Sequence, residues 1–227
     1  MPGMPGKRTN MNYKRMLSIT LILVCLINPL TPELAAQGQP GNQGFLSINS
    51  CSANQNYEAT MFAVTERNTL LNFNPGTPGM INSVRFISGL ARGEDVVGID
   101  FRPANGQLYA ATTANRILTI NPDNGIATQV GTAPIAPAVN GQTFGFDFNP
   151  VPDLIRFVSN ADQDLRINPN TGVVAGVDGT LAYAAGDPNA GIDPNVIGSA
   201  YTNNFAGTAG TTLYGIDSNR DALVTQG

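Results

Sequence analysis

The sequence predicts an all-β fold: a β-propeller-like array of four-stranded repeats with a period of about 47 residues, incomplete at the C-terminus. Three markers in one register carry this. Asn-Pro recurs at Asn74-Pro75, Asn121-Pro122 and Asn168-Pro169, in steps of 47. Met61-Phe62-Ala63, Leu108-Tyr109-Ala110 and Ile155-Arg156-Phe157 keep the same beat, and so do Gly98-Ile99-Asp100-Phe101 and Gly145-Phe146-Asp147-Phe148. Apolar runs of five to seven residues stand between prolines and glycines, which is strand spacing and not the 3.6 period of a helical repeat.

Read from the N-terminus, Lys7, Arg8, Lys14 and Arg15 lead into an apolar stretch at 17–27, LSITLILVCLI, broken by Asn28 and Pro29. Leu34-Ala35-Ala36 offers small residues for cleavage before Gln37. Residues 1–36 therefore read as a cleaved secretory signal, and the apolar run is too short for a comfortable membrane span. Residues 37–57 read as a flexible leader and 58–227 as the repeat domain. Cleavage leaves eight basic residues, all arginine, against fifteen acidic ones, a net charge of −7. Cys25 departs with the signal, and Cys51 stays alone with no internal disulfide partner.

Within the domain the second unit is the clearest. Its four strands are expected at 96–102, 107–111, 116–120 and 127–130, joined by turns rich in Pro, Asn, Asp and Gly. Pro122 has no N–H for a ladder and closes its strand, while Gly125 supplies the positive φ of a tight turn. The first unit has no copy of the GIDF strand before Phe62. In the fourth, Leu213 follows Ile155 by 58 residues and Gly198 follows Gly145 by 53, with inserted loops, and no fourth strand follows Thr225.

The phrases GEDVVGIDFRPANGQLYA, FGFDFNPVPDLIRFVSNADQDLRINPNTG, LAYAAGDPNAG and AYTNNFAGTAGTTLYGIDSN resemble the bacterial secreted family called domain of unknown function 4394 (DUF4394). The resemblance runs from about Met61 to Gly227. It implies secreted, propeller-like repeats that continue past the position of Gly227, and it brings no assigned activity, substrate or catalytic residue.

Composition removes several chemistries. There is no histidine, so no Ser-His or Cys-His nucleophile pair and no His-ligated zinc. The mature chain has no lysine, so no P-loop lysine, Schiff base or Ser-Lys dyad. An acidic, lysine-free chain is a poor partner for nucleic acid, and no stable membrane span is expected once the signal is gone.

Several residues remain as candidates. Asp100 and Asp147 occupy the same place on successive first strands, where they line a central channel as ligand groups or bond backbone N–H groups of the neighbouring unit; Ala200 interrupts the series. Glu94, beside Asp95, is a candidate partner of Asp147 in acid–base chemistry. Asn160, Asp162, Asp164 and Asp217, Asn219, Asp221 carry oxygens at alternate positions, the opening of a calcium loop, but lack its glycine and closing glutamate. Ca2+ is thus a candidate cofactor, against ordinary turn chemistry. Arg102, Arg156 and Arg166 suit an anionic substrate or ion pairs, and Tyr109, Tyr183, Tyr201 and Tyr214 suit stacking on sugars or core packing. The expectation is non-catalytic binding of a protein or carbohydrate ligand outside the cytoplasm. A calcium-dependent hydrolase or lyase and a structural envelope component are the alternatives.

Overall fold

The computed structural model describes residues 24–26 and 60–226. The expected leader, 37–57, and the expected signal apart from Val24–Leu26 lie outside these residues. All regular structure among the described residues is strand, in four antiparallel sheets. No helix there is long and apolar enough to cross a membrane.

The first sheet runs β1 (Val24–Leu26), β2 (Thr60–Val64), β3 (Thr69–Phe73) and β4 (Ile81–Phe86). The second runs β5 (Val96–Phe101), β6 (Leu108–Thr112), β7 (Ile117–Ile120) and β8 (Ala127–Gln129). The third runs β9 (Phe144–Asn149), β10 (Leu154–Ser159), β11 (Asp164–Ile167) and β12 (Val174–Val177). The fourth has three strands, β13 (Val196–Tyr201), β14 (Leu213–Asp217) and β15 (Ala222–Gln226). Each is a meander of neighbours in sequence, as the 47-residue repeat predicts. The first-strand place of the first sheet is taken by β1, which carries no GIDF-like motif and pairs Val24 with Phe62. In the second unit the strands match the expected ones to within a residue or so at each end, and Gly125 has φ 76°.

Alternation along each strand sends one face toward the preceding sheet and the other toward the next. Phe62, Val64 and Leu70 of the first sheet meet Ile99, Phe101, Leu108, Leu118 and Ile120 of the second in one buried cluster. Tyr109, Ala111 and Ile117 on the second sheet's other face meet Phe146, Phe148, Ile155, Phe157, Leu165 and Ile167 of the third. Aromatic pairs bridge both seams, Phe62 with Phe101 at 5.3 Å and Tyr109 edge-on to Phe148 at 5.2 Å.

The first strands β5, β9 and β13 lie side by side, and glycine permits that approach. A Cβ at Gly98 would fall 2.4 Å from the Cβ of Phe146, and one at Gly145 would fall 2.7 Å from the backbone N of Ser199. Gly98→Ala must push the second and third sheets apart, and overpacking of this kind costs about 1–3 kcal/mol. Chemical denaturation is expected to show that loss with the m-value unchanged. Wild-type stability in the variant would mean that the sheets are not this close.

Candidate functional site

The acidic residues of the first strands act as ties between sheets. Asp100 on β5 accepts from the N–H of Phe101 at 2.7 Å through Oδ1 and from that of Phe148 on β9 at 2.8 Å through Oδ2. One repeat later, Asp147 on β9 accepts from the N–H of Tyr201 on β13 at 2.6 Å. This is the backbone contact to the neighbouring unit that the sequence admits for both residues. Burial pushes Asp100 up to about 6, against bonds from Asp147, Phe148 and Phe101 that hold it down. Burial also raises Asp147, and the charge of Asp100 and the hydrogen bond to it raise it further. The two form a coupled acid pair, and we place their shared proton on Asp147, because the charge of Asp100 and the hydrogen bond to it both act to hold it there.

Glu94 lies elsewhere, in the lead-in to the second sheet. Its side chain is 1% exposed and both oxygens are engaged, by Thr112 at 2.5 Å, by the N–H of Ala91 at 2.6 Å and by the Arg116 guanidinium. Burial opposes its charge, but Arg116, Thr112 and the Ala91 N–H outweigh that and bring it down to about 2. Its partners do not include Asp147, and a carboxylate so held is a tie between loop and sheet. Asp95 accepts from Asn68 at 3.1 Å.

The two alternate-oxygen turns divide among protein partners. Asn160 Oδ1 accepts from the N–H groups of Gln142 and Thr143, at 2.8 and 3.1 Å. Asp217 is buried and accepts from Tyr183 Oη at 2.5 Å and from the N–H groups of Asn195 and Asn219. Asp221 occupies the left-handed region, at φ 49°. No group of three His, Cys, Asp or Glu side chains suited to a metal occurs among the described residues.

Asp162 departs from a device that its sister units complete. Asn68, Asn115 and Asp162 are 47 residues apart, each at positive φ in the turn after the second strand of its sheet, where Asn and Asp are favoured. Asn68 Oδ1 accepts from Val96 N at 2.8 Å and Asn115 Oδ1 from Val139 N at 2.6 Å, tying the turn to the chain that leads into the next sheet. The Oδ1 of Asp162 is buried without a hydrogen-bond partner among the described residues. Burial raises Asp162, and the neighbouring Asp193 raises it further. Asp193→Asn puts an amide donor beside that oxygen and removes a like charge, so it is expected to add about 1 kcal/mol at pH 7, or about 2–4 °C in Tm. Differential scanning calorimetry checks this, and an unchanged or lower Tm would count against the pairing.

The third seam breaks the apolar pattern. Where the second sheet presents Tyr109, Ile117 and Thr119, the third presents Arg156, Asp164 and Arg166 one repeat later. The buried apolar cluster there is Val158, Leu181 and Val196. Arg156 on β10, 14% exposed, donates through Nη1 to Asp164 Oδ1 and Asp178 Oδ2, both at 2.5 Å, and through Nε to Tyr201 Oη at 3.3 Å. Asp164 on β11, 6% exposed, also accepts from Gln226 Nε2 on β15 at 2.6 Å. Arg166 clamps Asp178 through Nε and Nη2. Burial raises Asp164, opposed by Arg156 and aided by Asp178; burial also resists ionisation of Asp178, but Arg166 and Arg156 bring it below the usual range. Arg156, Asp164, Asp178, Tyr201 and Gln226 border a cleft of about 640 Å³ between the third and fourth sheets, which Asn149, Leu181, Thr212 and Leu213 also line. Ligand sites fall in this size range, with a few placed polar groups on an apolar wall. A second groove of about 420 Å³ runs over strands and turns of the second sheet, from Gly106 to Thr128.

Arg102 is an ion-pair partner, bound to Asp153 and to Asn170 at 2.7 Å. Tyr109 and Tyr201 are buried and Tyr183 bonds Asp217. Asp178, Thr212 and Gln226 were not singled out in the sequence. The readable signal was charge at third-unit positions that are apolar or hydroxyl-bearing in the second.

A family model described as "Domain of unknown function (DUF4394)" matches residues 69–227. No curated protein matches the sequence. Among solved structures, the chain is similar to the glutaminyl cyclase of Myxococcus xanthus, with a TM-score of 0.50 and 17% identity over 73% of this chain and 67% of that one. A protein of unknown function from Bacteroides thetaiotaomicron VPI-5482 gives a TM-score of 0.45 and 12% identity over 72% of this chain and 43% of that one. Apo AztD from Citrobacter koseri gives 0.39 and 12% over 73% and 40%. The chain spans less than half the length of the last two. At these identities the likeness to the cyclase concerns the fold, an all-β, propeller-like array.

Proposed function

We propose that this chain, which belongs to the family described as Domain of unknown function (DUF4394), is a secreted or periplasmic, non-catalytic binder of a small ligand, held in the cleft between the third and fourth sheets. The observation that carries this is the charged seam. Two seams of the array are packed mainly with apolar side chains, and the third places Arg156, Asp164 and Asp178 at an open cleft, with Arg166 clamping Asp178 from outside it. Buried ion pairs seldom stabilise a fold better than apolar residues of similar size. Single ion pairs also occur elsewhere, Arg102 with Asp153 and Arg116 with Glu94, but at the third seam a cluster of them borders an open cleft, and that supports binding. Glu94, Asp100 and Asp147 are committed to structural bonds, which favours binding over carboxylate catalysis.

Export rests on the charged, apolar and small-residue order of residues 1–36. Cleavage would also take β1 from the edge of β2. N-terminal sequencing of protein from the producing cell is expected to begin at or near Gln37; retention of residues 1–36 would remove this part of the reading.

Ala182 is an exposed residue on the cleft wall, so Ala182→Trp obstructs the cleft at little cost in stability. Thermal shift against a small-molecule collection is expected to find ligands that raise the wild-type Tm and leave this variant unmoved. Ligands that shift both equally would place the site elsewhere.

A further inference from the structure

From the groups left open in this cleft we infer that its ligand is an uncharged, hydroxyl-rich molecule of the saccharide class; the inference rests on the cleft being the ligand site. The carboxylates at the cleft are spent: Asp164 on Arg156 and Gln226, Asp178 on Arg156 and Arg166. Among the described residues, no protein group bonds Nη2 of Arg156 or Nδ2 of Asn149, whose Oδ1 is held by Val151 N at 3.1 Å. The hydroxyl hydrogen of Tyr201 is also unassigned, since its oxygen accepts from Arg156. Guanidinium and amide N–H groups only donate, so they ask the ligand for oxygen acceptors. Gln226 Oε1 is open as an acceptor, and the hydroxyls of Thr180 and Thr212 serve in either sense.

Charge decides between kinds of acceptor. Arg156 and Arg166 are matched one for one by Asp164 and Asp178. A carboxylate or phosphate drawn to Arg156 would have to settle beside two carboxylates that already share it, and like charges so placed work against binding. A cation would face Arg156 itself. A hydroxyl carries no such penalty, because its oxygen accepts from Arg156 or Asn149 while its hydrogen goes to Gln226 or a threonine. Leu181 and Leu213 offer the apolar wall that the C–H faces of a sugar need.

Asn149→Asp tests this with little disturbance. It keeps the Oδ1 that caps Val151, replaces the open donor by an acceptor and adds a negative charge. Calorimetric titration with cellotriose, maltotriose and chitotriose, and with trigalacturonate and inorganic phosphate, is expected to show binding of at least one neutral trisaccharide. That binding should weaken about tenfold or more in Asn149→Asp, with Tm unchanged. Binding of trigalacturonate or phosphate alone, abolished by Ala182→Trp, would overturn the saccharide class and leave the cleft as the site. A neutral trisaccharide that binds Ala182→Trp as well as wild type would overturn the cleft, and this inference with it. Failure of all five probes would overturn the saccharide class.

Discussion

Arg156→Met is expected to destabilise the protein by about 3–5 kcal/mol, and adding Asp164→Ile to restore most of that loss. The single change leaves Asp164, 6% exposed, with Gln226 as its remaining partner, while Asp178 keeps the Arg166 clamp. An uncompensated buried carboxylate is costly; two apolar residues in place of the pair are not. The second sheet already shows the apolar solution, since Tyr109 and Ile117 stand at the equivalent places and are buried in the cluster of their seam. Without the guanidinium Asp164 is raised further above its usual range. The deficit of the single variant should therefore be larger at pH 8, where the carboxyl must ionise, than at pH 5. The double variant is expected to fold and to bind nothing in the cleft. Urea denaturation at both pH values, with ligand titration of the double variant, makes the check. A double variant that stayed as unstable as the single one would show that the charges serve the fold; one that kept wild-type binding would remove Arg156 from the site.

The acid pair gives the second large effect. Asp100 and Asp147 both hold protons more tightly folded than unfolded, so the folded state binds more protons above about pH 4. Stability from this pair is full below the unfolded carboxyl range and is lost as pH rises through about 6 and beyond. For Asp100 alone the difference between its folded and ordinary values is worth on the order of 3 kcal/mol. Glu94 works in the other direction: its contribution is present above its ordinary value of 4.5 and is lost as pH falls toward about 2. From these three groups maximum stability is therefore expected near pH 4, with a loss as pH rises through about 6. Arg156 stands opposite Asp147 across the β9–β10 pair, and Tyr109 opposite Asp100 across the β5–β6 pair.

The two aspartates should respond differently to amidation. Asp147→Asn keeps an acceptor for Tyr201 N and a donor for Asp100, so it is expected to match wild type near pH 4 and to exceed it increasingly toward pH 8. Asp100→Asn turns an amide N–H toward Phe101 N or Phe148 N and is expected to cost about 2 kcal/mol or more at pH 5. Denaturation profiles of the three proteins from pH 4 to 8 separate these outcomes. Equal losses in both variants would contradict the assignment of the proton to Asp147.

The array was legible because Asn-Pro, the GIDF strand and the second-strand motif repeat in one register, and each has a physical job. Proline ends a strand, Gly98 and Gly145 let first strands approach, and the aspartate ties one sheet to the next. Asp100 and Asp147 were legible for the same reason, as repeated residues. The cleft was not, because it is made of departures from the repeat. Arg156 and Arg166 stood out as cations, but the force of Arg156 at the place of Tyr109 emerges only once strand faces are assigned. Asp178 lies just past the end of β12, Thr212 in an inserted stretch of the fourth unit, and Gln226 on β15, so no local spacing joins them. Glu94 looked like an acid–base candidate in sequence because Arg116, which neutralises it, comes from the next hairpin.

Hydrogen exchange measured with and without a bound neutral trisaccharide tests the central claim most directly. The cleft reading predicts added protection at Leu154–Ser159, in residues 178–182 and in 211–213, with the hairpin from Gly106 to Thr128 unchanged. Protection confined to that hairpin or to the first strands, with the third seam unaltered, would contradict it.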